Sequence, residues 1–310
     1  MDTIIEQLKE VLEEDQILTE EPMRKHTTFR IGGPADIFVI PKTIEDVAKV
    51  CAIAGKEEIP LFVLGNGSNL LVADQGMDGI VLQIYKNFSG ISADGNELTI
   101  KAGTLLSTAA KAALAEGLTG FEFAGGIPGT FGGAVVMNAG AYGGEIVQVL
   151  KEVTVLTQDG EVKTIPAKEL ELGYRTSNII RNGYVVLSGT IALEKGDPNE
   201  IKAKMDEYSL ARKTKQPLEL PSAGSTFKRP EGYFAGKLIQ DAGLRGYQVG
   251  GARVSDKHCG FVVNQEDATA ADVMHLIEDV QRIVKEKFDV VLVYKLDRLS
   301  RSQVKRVGRF

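Results

Sequence analysis

The chain has 310 residues, 43% of them apolar and 25% charged, with 34 glycines, 10 prolines, two cysteines, no tryptophan and a net charge of −6. This is the composition of a folded chain long enough for two or three cored domains, and it excludes collagen-like, low-complexity and disulfide-framework proteins. No run approaches the roughly 18 consecutive apolar residues of a membrane span, and the acidic, amphipathic start has neither region of a signal peptide, so a cytoplasmic protein is expected.

Apolar residues recurring near i, i+3 and i+4 predict a first helix over 3–14. A strand at 36–40 leads to a second helix over 43–55, opened by Thr43 as N-cap. The next strand, 61–64, runs into Gly65-Asn66-Gly67-Ser68-Asn69. Such small residues can turn successive backbone N–H groups toward one point, and Ser68 and Asn69 add side-chain donors, so the loop suits a pyrophosphate; read alone it is equally a turn between strands. A strand at 80–84 and a helix over 104–116, closed by Gly117, precede a second glycine cluster, Gly126-Ile127-Pro128-Gly129-Thr130-Phe131-Gly132-Gly133, which runs on to Met137-Asn-Ala-Gly-Ala-Tyr-Gly-Gly144. That density exceeds what a turn needs and implies backbone lying close against something flat or charged. Neither cluster fits G-x-x-x-x-G-K-S/T or G-x-G-x-x-G, which disfavours P-loop kinases and Rossmann dehydrogenases, and two such loops favour a dinucleotide over a mononucleotide.

Strands at 153–157 and 162–165 flank Asp159-Gly160, a hairpin turn. Gly173-Tyr-Arg-Thr-Ser177 sets Arg175 among hydroxyl residues, where it can hold a carboxylate in a bidentate pair or make a surface ion pair. A strand at 184–193 and a helix over 199–214 lead to Pro221-Ser-Ala-Gly-Ser-Thr-Phe-Lys-Arg-Pro230. No histidine lies near Ser225 in sequence to serve as its base, which makes it a poor nucleophile; proton donation is chemically open to it. A strand at 260–264, a helix over 270–287 begun by Thr269 and Asp272, and a strand at 290–294 complete the α+β series. Cys51 and Cys259, with His26, His258 and His275, show no metal-ligand spacing, so no metal is expected. Residues 285–310 hold eight Lys or Arg against three Asp or Glu, so the remaining 284 residues carry −11, a balance that disfavours nucleic acid as a partner.

Taken together, these segments resemble the UDP-N-acetylenolpyruvoylglucosamine reductase family in its shorter subtype. The resemblance runs in order through His26-Thr-Thr-Phe-Arg-Ile-Gly-Gly-Pro34, the loop at 65–69, Gly126 to Gly133, Met137 to Gly143, Gly173 to Ser177, Ala223-Gly-Ser-Thr-Phe-Lys-Arg-Pro230 and Ala235-Gly-Lys-Leu-Ile-Gln240. It implies an α+β, vanillyl-alcohol-oxidase-type fold, with FAD-binding regions over 1–80 and 81–197, a substrate-binding domain over 198–288 and an atypical basic tail over 289–310. It also implies bound FAD, NADPH as hydride donor, UDP-N-acetylglucosamine enolpyruvate as substrate, a monomeric state, and glycine loops at 65–69 and 126–133 meeting the flavin pyrophosphate and ring. Arg175 matches the family's carboxylate-holding arginine, Ser225 its proton donor, and Lys237 a lysine near the nucleotide diphosphate.

The end of the chain departs from the family pattern. A Leu-Glu-Pro-Glu strand follows the last helix in the family, and its second glutamate assists proton transfer; gapless alignment puts Lys295 there, with Asp297 two residues, about 6–7 Å, further along a strand. Residues 289–302 are instead similar to a piece of the catalytic domain of serine site-specific recombinases, too short to form that domain, which suggests a reductase whose end was replaced at a junction. Two functions are therefore expected in order: the reductase, and a flavin-binding relative impaired in turnover because its carboxylate is replaced.

Overall fold

The computed structural model describes residues 1–300, so the last ten residues of the expected basic tail lie outside the described part. Near the start of the chain is a four-stranded sheet in the order Ile17–Pro22, Pro34–Val39, Met77–Gln83, Leu61–Leu64, antiparallel at its first pair and parallel at the other two. Parallel strands need a crossover, which helix Ile44–Lys56 provides between Pro34–Val39 and Leu61–Leu64. Its start is fixed as the sequence suggests: Thr43 Oγ accepts from the Asp46 N–H at 3.1 Å while the Asp46 carboxylate accepts from the Thr43 N–H at 3.1 Å. Val47, Val50 and Ala54 form its buried face.

A five-stranded antiparallel sheet follows, in the order Val162–Pro166, Leu150–Leu156, Val185–Ala192, Glu97–Lys101, Ile91–Asp94. The Asp159-Gly160 turn joins the first two, with Gly160 at φ 81°. Helices Leu106–Ala115 and Phe131–Val136 add their buried faces to the same core. Gly132 admits this packing, since a Cβ there would lie 2.9 Å from that of Ala102. Helix Pro198–Lys215 lays Met205 and Tyr208 on this core as well.

The third region is a four-stranded antiparallel sheet in the order Ser222–Ser225, Phe261–Asn264, Ala252–Val254, Gln248–Val249, with helices Ala235–Asp241 and Ala270–Phe288. Its core draws Phe29, Ile31 and Leu71 from the first region and Leu292 and Leu296 from the arm after the last helix. That arm corrects the strand expected at 290–294. Asp289 turns the chain at φ 54°, Tyr294 alone bridges to Phe227, and the regular ladder is Asp297–Leu299, parallel to Leu70–Val72. The reason is the available edge: the arm first meets the third region and then crosses to the open strand Leu70–Val72 of the first. All five expected helices form, whereas Phe131–Val136 and Ala235–Asp241 are too short to show a period in sequence.

Candidate active site

The three regions meet around a cavity of about 300 Å³. Gly65, Asn66, Gly67, Ser68 and Asn69 line one wall, directly after strand Leu61–Leu64. Two of these glycines are dictated by close approach. A Cβ on Gly65 would lie 2.4 Å from Thr130 Oγ1, and Gly67 adopts φ 61° with the His26 carbonyl oxygen 2.1 Å from where its Cβ would be. Ile127, Pro128, Gly129, Gly132 and Gly133 form the facing wall, and Asn66 Nδ2 ties the loops together by donating to the Pro128 carbonyl at 2.8 Å. Gly126 does not reach the cavity: the space above its Cα is filled by Arg212, whose Cδ would be 2.5 Å from an added Cβ. Among the expected site glycines of 126–133, it is the one absent from the cavity wall.

Arg175 enters from the loop 173–176, which closes on itself through a bridge between Gly173 and Thr176. Its guanidinium donates to the Asn138 carbonyl (Nη1, 3.1 Å) and the Gly140 carbonyl (Nη2, 3.1 Å). Asn138 in turn donates to the Gly173 carbonyl at 3.1 Å, so the segment around 137–144 and the arginine loop brace each other. Ser177 Oγ, buried, locks the same joint by donating to the Val136 carbonyl at 2.8 Å. The motifs Met137 to Gly143 and Gly173 to Ser177 are thus two halves of one holder. The arginine keeps further donors for a ligand in the cavity it lines.

Ser225 lines the opposite side, at the end of strand Ser222–Ser225, where Gly224 takes φ 73° and the pairing with Phe261–Asn264 shifts register. Beside it lie Lys295 and Asp297, both on the cavity wall. The terminal arm therefore docks against both the first and the third region at the cavity wall. The Lys295 N–H donates to the Thr226 carbonyl at 2.9 Å, and Asn69 Nδ2 donates to the Lys295 carbonyl and to Asp297 Oδ2, each at 3.3 Å. Burial first, and Arg175 second, push the Lys295 ammonium down to about 8, with Asp297 opposing them in part. No histidine lines this cavity. Lys237 lies outside it, on an exposed helix face, with Nζ 2.6 Å from Asp241 Oδ2.

Sequence reasoning missed Thr130, Arg212 and Gln216. Thr130 sits inside a quoted motif, and its signal is that of an N-cap: its Oγ accepts from the Gly133 N–H. Arg212 and Gln216 come from the last turn of a charged helix and the residue after it, and nothing in their spacing sets them apart from solvated neighbours. The cavity fits a flavin dinucleotide. Its middle is walled by backbone at glycines that admit no side chain, Leu106, Ile127 and Val136 give it an apolar part, and Gln216 Oε1 is a buried acceptor with no donor among the described residues. A second cavity of about 490 Å³, with Thr28, Gln83 and Tyr85 in its walls, shares Asn66 with the first, which suits a long ligand.

Comparison with known proteins agrees. Residues 35–166 match a model of an FAD binding domain, and residues 216–298 match the C-terminal domain of UDP-N-acetylenolpyruvoylglucosamine reductase. The chain is 55% identical over 293 residues to the UDP-N-acetylenolpyruvoylglucosamine reductase of Lachnoclostridium phytofermentans, covering 93% of this chain and 94% of that protein. It is 50% identical over 302 residues to that of Clostridium perfringens, covering 97% and 96%. The crystal structure of the reductase from Thermus caldophilus superposes with a TM-score of 0.79 at 36% identity, covering 91% of this chain and 98% of that one. The chain belongs to the UDP-N-acetylenolpyruvoylglucosamine reductase family and is an FAD-dependent oxidoreductase of UDP-N-acetylmuramate synthesis.

Proposed function

We propose that the protein reduces UDP-N-acetylglucosamine enolpyruvate to UDP-N-acetylmuramate with NADPH as hydride donor, as a monomer in the cytoplasm. The observation that carries this reading is the meeting of Arg175 and Ser225 in one cavity whose other walls are the two glycine loops. Bound FAD supplies the hydride chemistry, from NADPH to the β-carbon of the enolpyruvyl group. Gly65 to Asn69 and Ile127 to Gly133 would hold its pyrophosphate and ring. Arg175 holds the substrate carboxylate in its planar fork; because the Asn138 and Gly140 carbonyls already fix the guanidinium, negative charge developing next to that carboxylate meets a cation that need not reorient. Ser225 Oγ gives the proton to the α-carbon. Lys237 answers the nucleotide diphosphate by exchanging its Asp241 partner for phosphate.

A second reading rests on Lys295, which lines the cavity where a carboxylate is expected: a flavin-binding member with slow turnover. One experiment separates them. The protein is reduced with NADPH without oxygen, mixed with UDP-N-acetylglucosamine enolpyruvate, and followed at about 450 nm, the usual flavin band. Fast return of oxidised-flavin absorbance supports the reductase, reduction without return supports the second reading, and failure of NADPH to bleach the flavin removes NADPH as donor.

A further inference from the structure

Among the described residues, Lys295 is the one lysine in the wall of the main cavity, a cation where the family resemblance leads to the expectation of a carboxylate. Its backbone is held on both sides, its N–H by the Thr226 carbonyl and its carbonyl by Asn69 Nδ2, which fixes the point on the cavity wall from which the side chain starts. Its Nζ lies 3.9 Å from the position a Cβ would take on Gly224, next to Ser225. Among the described residues, the charged groups that share the cavity wall with it are three. Arg175 approaches from its own loop, Arg212 lines the same cavity, and Asp297 stands two residues along, while strands Leu70–Val72 and Ser222–Ser225 contribute none.

Resting on the function proposed above, we infer that Lys295 and Arg175 form a two-cation seat for the enolpyruvyl carboxylate, and that binding this anion draws a proton onto Lys295. Two cations lining one half-buried cavity repel each other, and that repulsion adds to the cost of desolvating the ammonium. A carboxylate between them reverses the balance. The free protein then holds Lys295 partly neutral above about 8, and the complex holds it charged. By linkage, apparent affinity falls as pH rises past the free-state value, by at most about tenfold per pH unit. Below that value the group is already charged and affinity is flat.

The test is equilibrium binding of UDP-N-acetylglucosamine enolpyruvate to the oxidised, FAD-loaded protein between about pH 6.5 and 9.5. Affinity is read from the flavin absorbance shift, and calorimetry in phosphate and in Tris counts protons taken up. Binding that weakens above about pH 8 with proton uptake, both abolished in Lys295→Gln and Lys295→Met at roughly a ten- to hundredfold loss of affinity at pH 7, establishes the seat. Retained flavin absorbance shows that the variants are folded. Binding that does not change with pH, or proton uptake that survives in Lys295→Met, overturns the inference alone. No binding at any pH by FAD-loaded protein overturns both the inference and the function on which it rests.

Discussion

Arg175 takes φ 58°, a conformation that costs a non-glycine residue on the order of 1 kcal/mol, and it is kept there by the turn from Gly173 to Thr176 and by two backbone carbonyls. Lysine cannot satisfy both carbonyls and a planar acid together. Arg175→Lys is therefore expected to slow flavin reoxidation by the enolpyruvyl substrate by about 10²- to 10³-fold, and to leave reduction by NADPH within about twofold, as stopped-flow absorbance will show. Lys295 makes an opposite trade. Its folded-state value, about 8, lies below the ordinary 10.5, so between these the unfolded chain binds more protons and stability rises with pH. Lys295→Met removes that dependence. It is expected to be more stable than the wild type at pH 7 by on the order of 1 kcal/mol after solvent screening, with the gap closing by about pH 10, measured by denaturant unfolding at both pH values. Arg175 and Ser225 stood out in sequence through the family resemblance of their motifs, and the structure brings both to one cavity. The company that Lys295 keeps was legible only from an alignment, since its spacing in sequence says nothing of Arg175, 120 residues earlier.

Helix Ala270–Phe288 shows how much an element can conceal in its first turn. The sequence gives away Thr269 and Asp272 as a capping box, which the structure contains. It hides Asp74, whose two carboxylate oxygens accept from the Ala270 N–H at 2.8 Å and the Ala271 N–H at 3.1 Å, 196 and 197 residues away. A carboxylate at a helix start both satisfies free N–H groups and favours the helix dipole. Here it also fastens the third region to the first. Asp74→Ala is expected to cost about 1–2 kcal/mol in thermal or denaturant unfolding. Short elements were the ones sequence patterns passed over: Leu70–Val72 and Asp297–Leu299 have three residues each, too few for alternation to rise above chance, and they exist because they pair with each other.

Across the whole molecule, the terminal arm is what closes the cavity. Leu292 is fully buried and Leu296 is 6% exposed, both in the third region's core, while Leu299 packs with Phe62 and Val72 in the first. Leu292→Ala is expected to cost about 2–5 kcal/mol, and a chain ending at residue 288 to lose flavin on gel filtration, since both Lys295 and its tether to Asn69 go with the arm. The sequence by itself determined the class of fold, the longer helices and their caps, and the loops and motifs of the site, because these depend on periodicity, turn chemistry and close-approach glycines that act over a few residues. Only the tertiary structure decided that helix Pro198–Lys215 lays Met205 and Tyr208 on the larger core, that Gly126 faces Arg212 and not the cavity, and that the terminal arm docks beside Ser225. Those are matters of which surfaces meet across distant stretches of chain, and there burial and edge pairing outweigh any local preference.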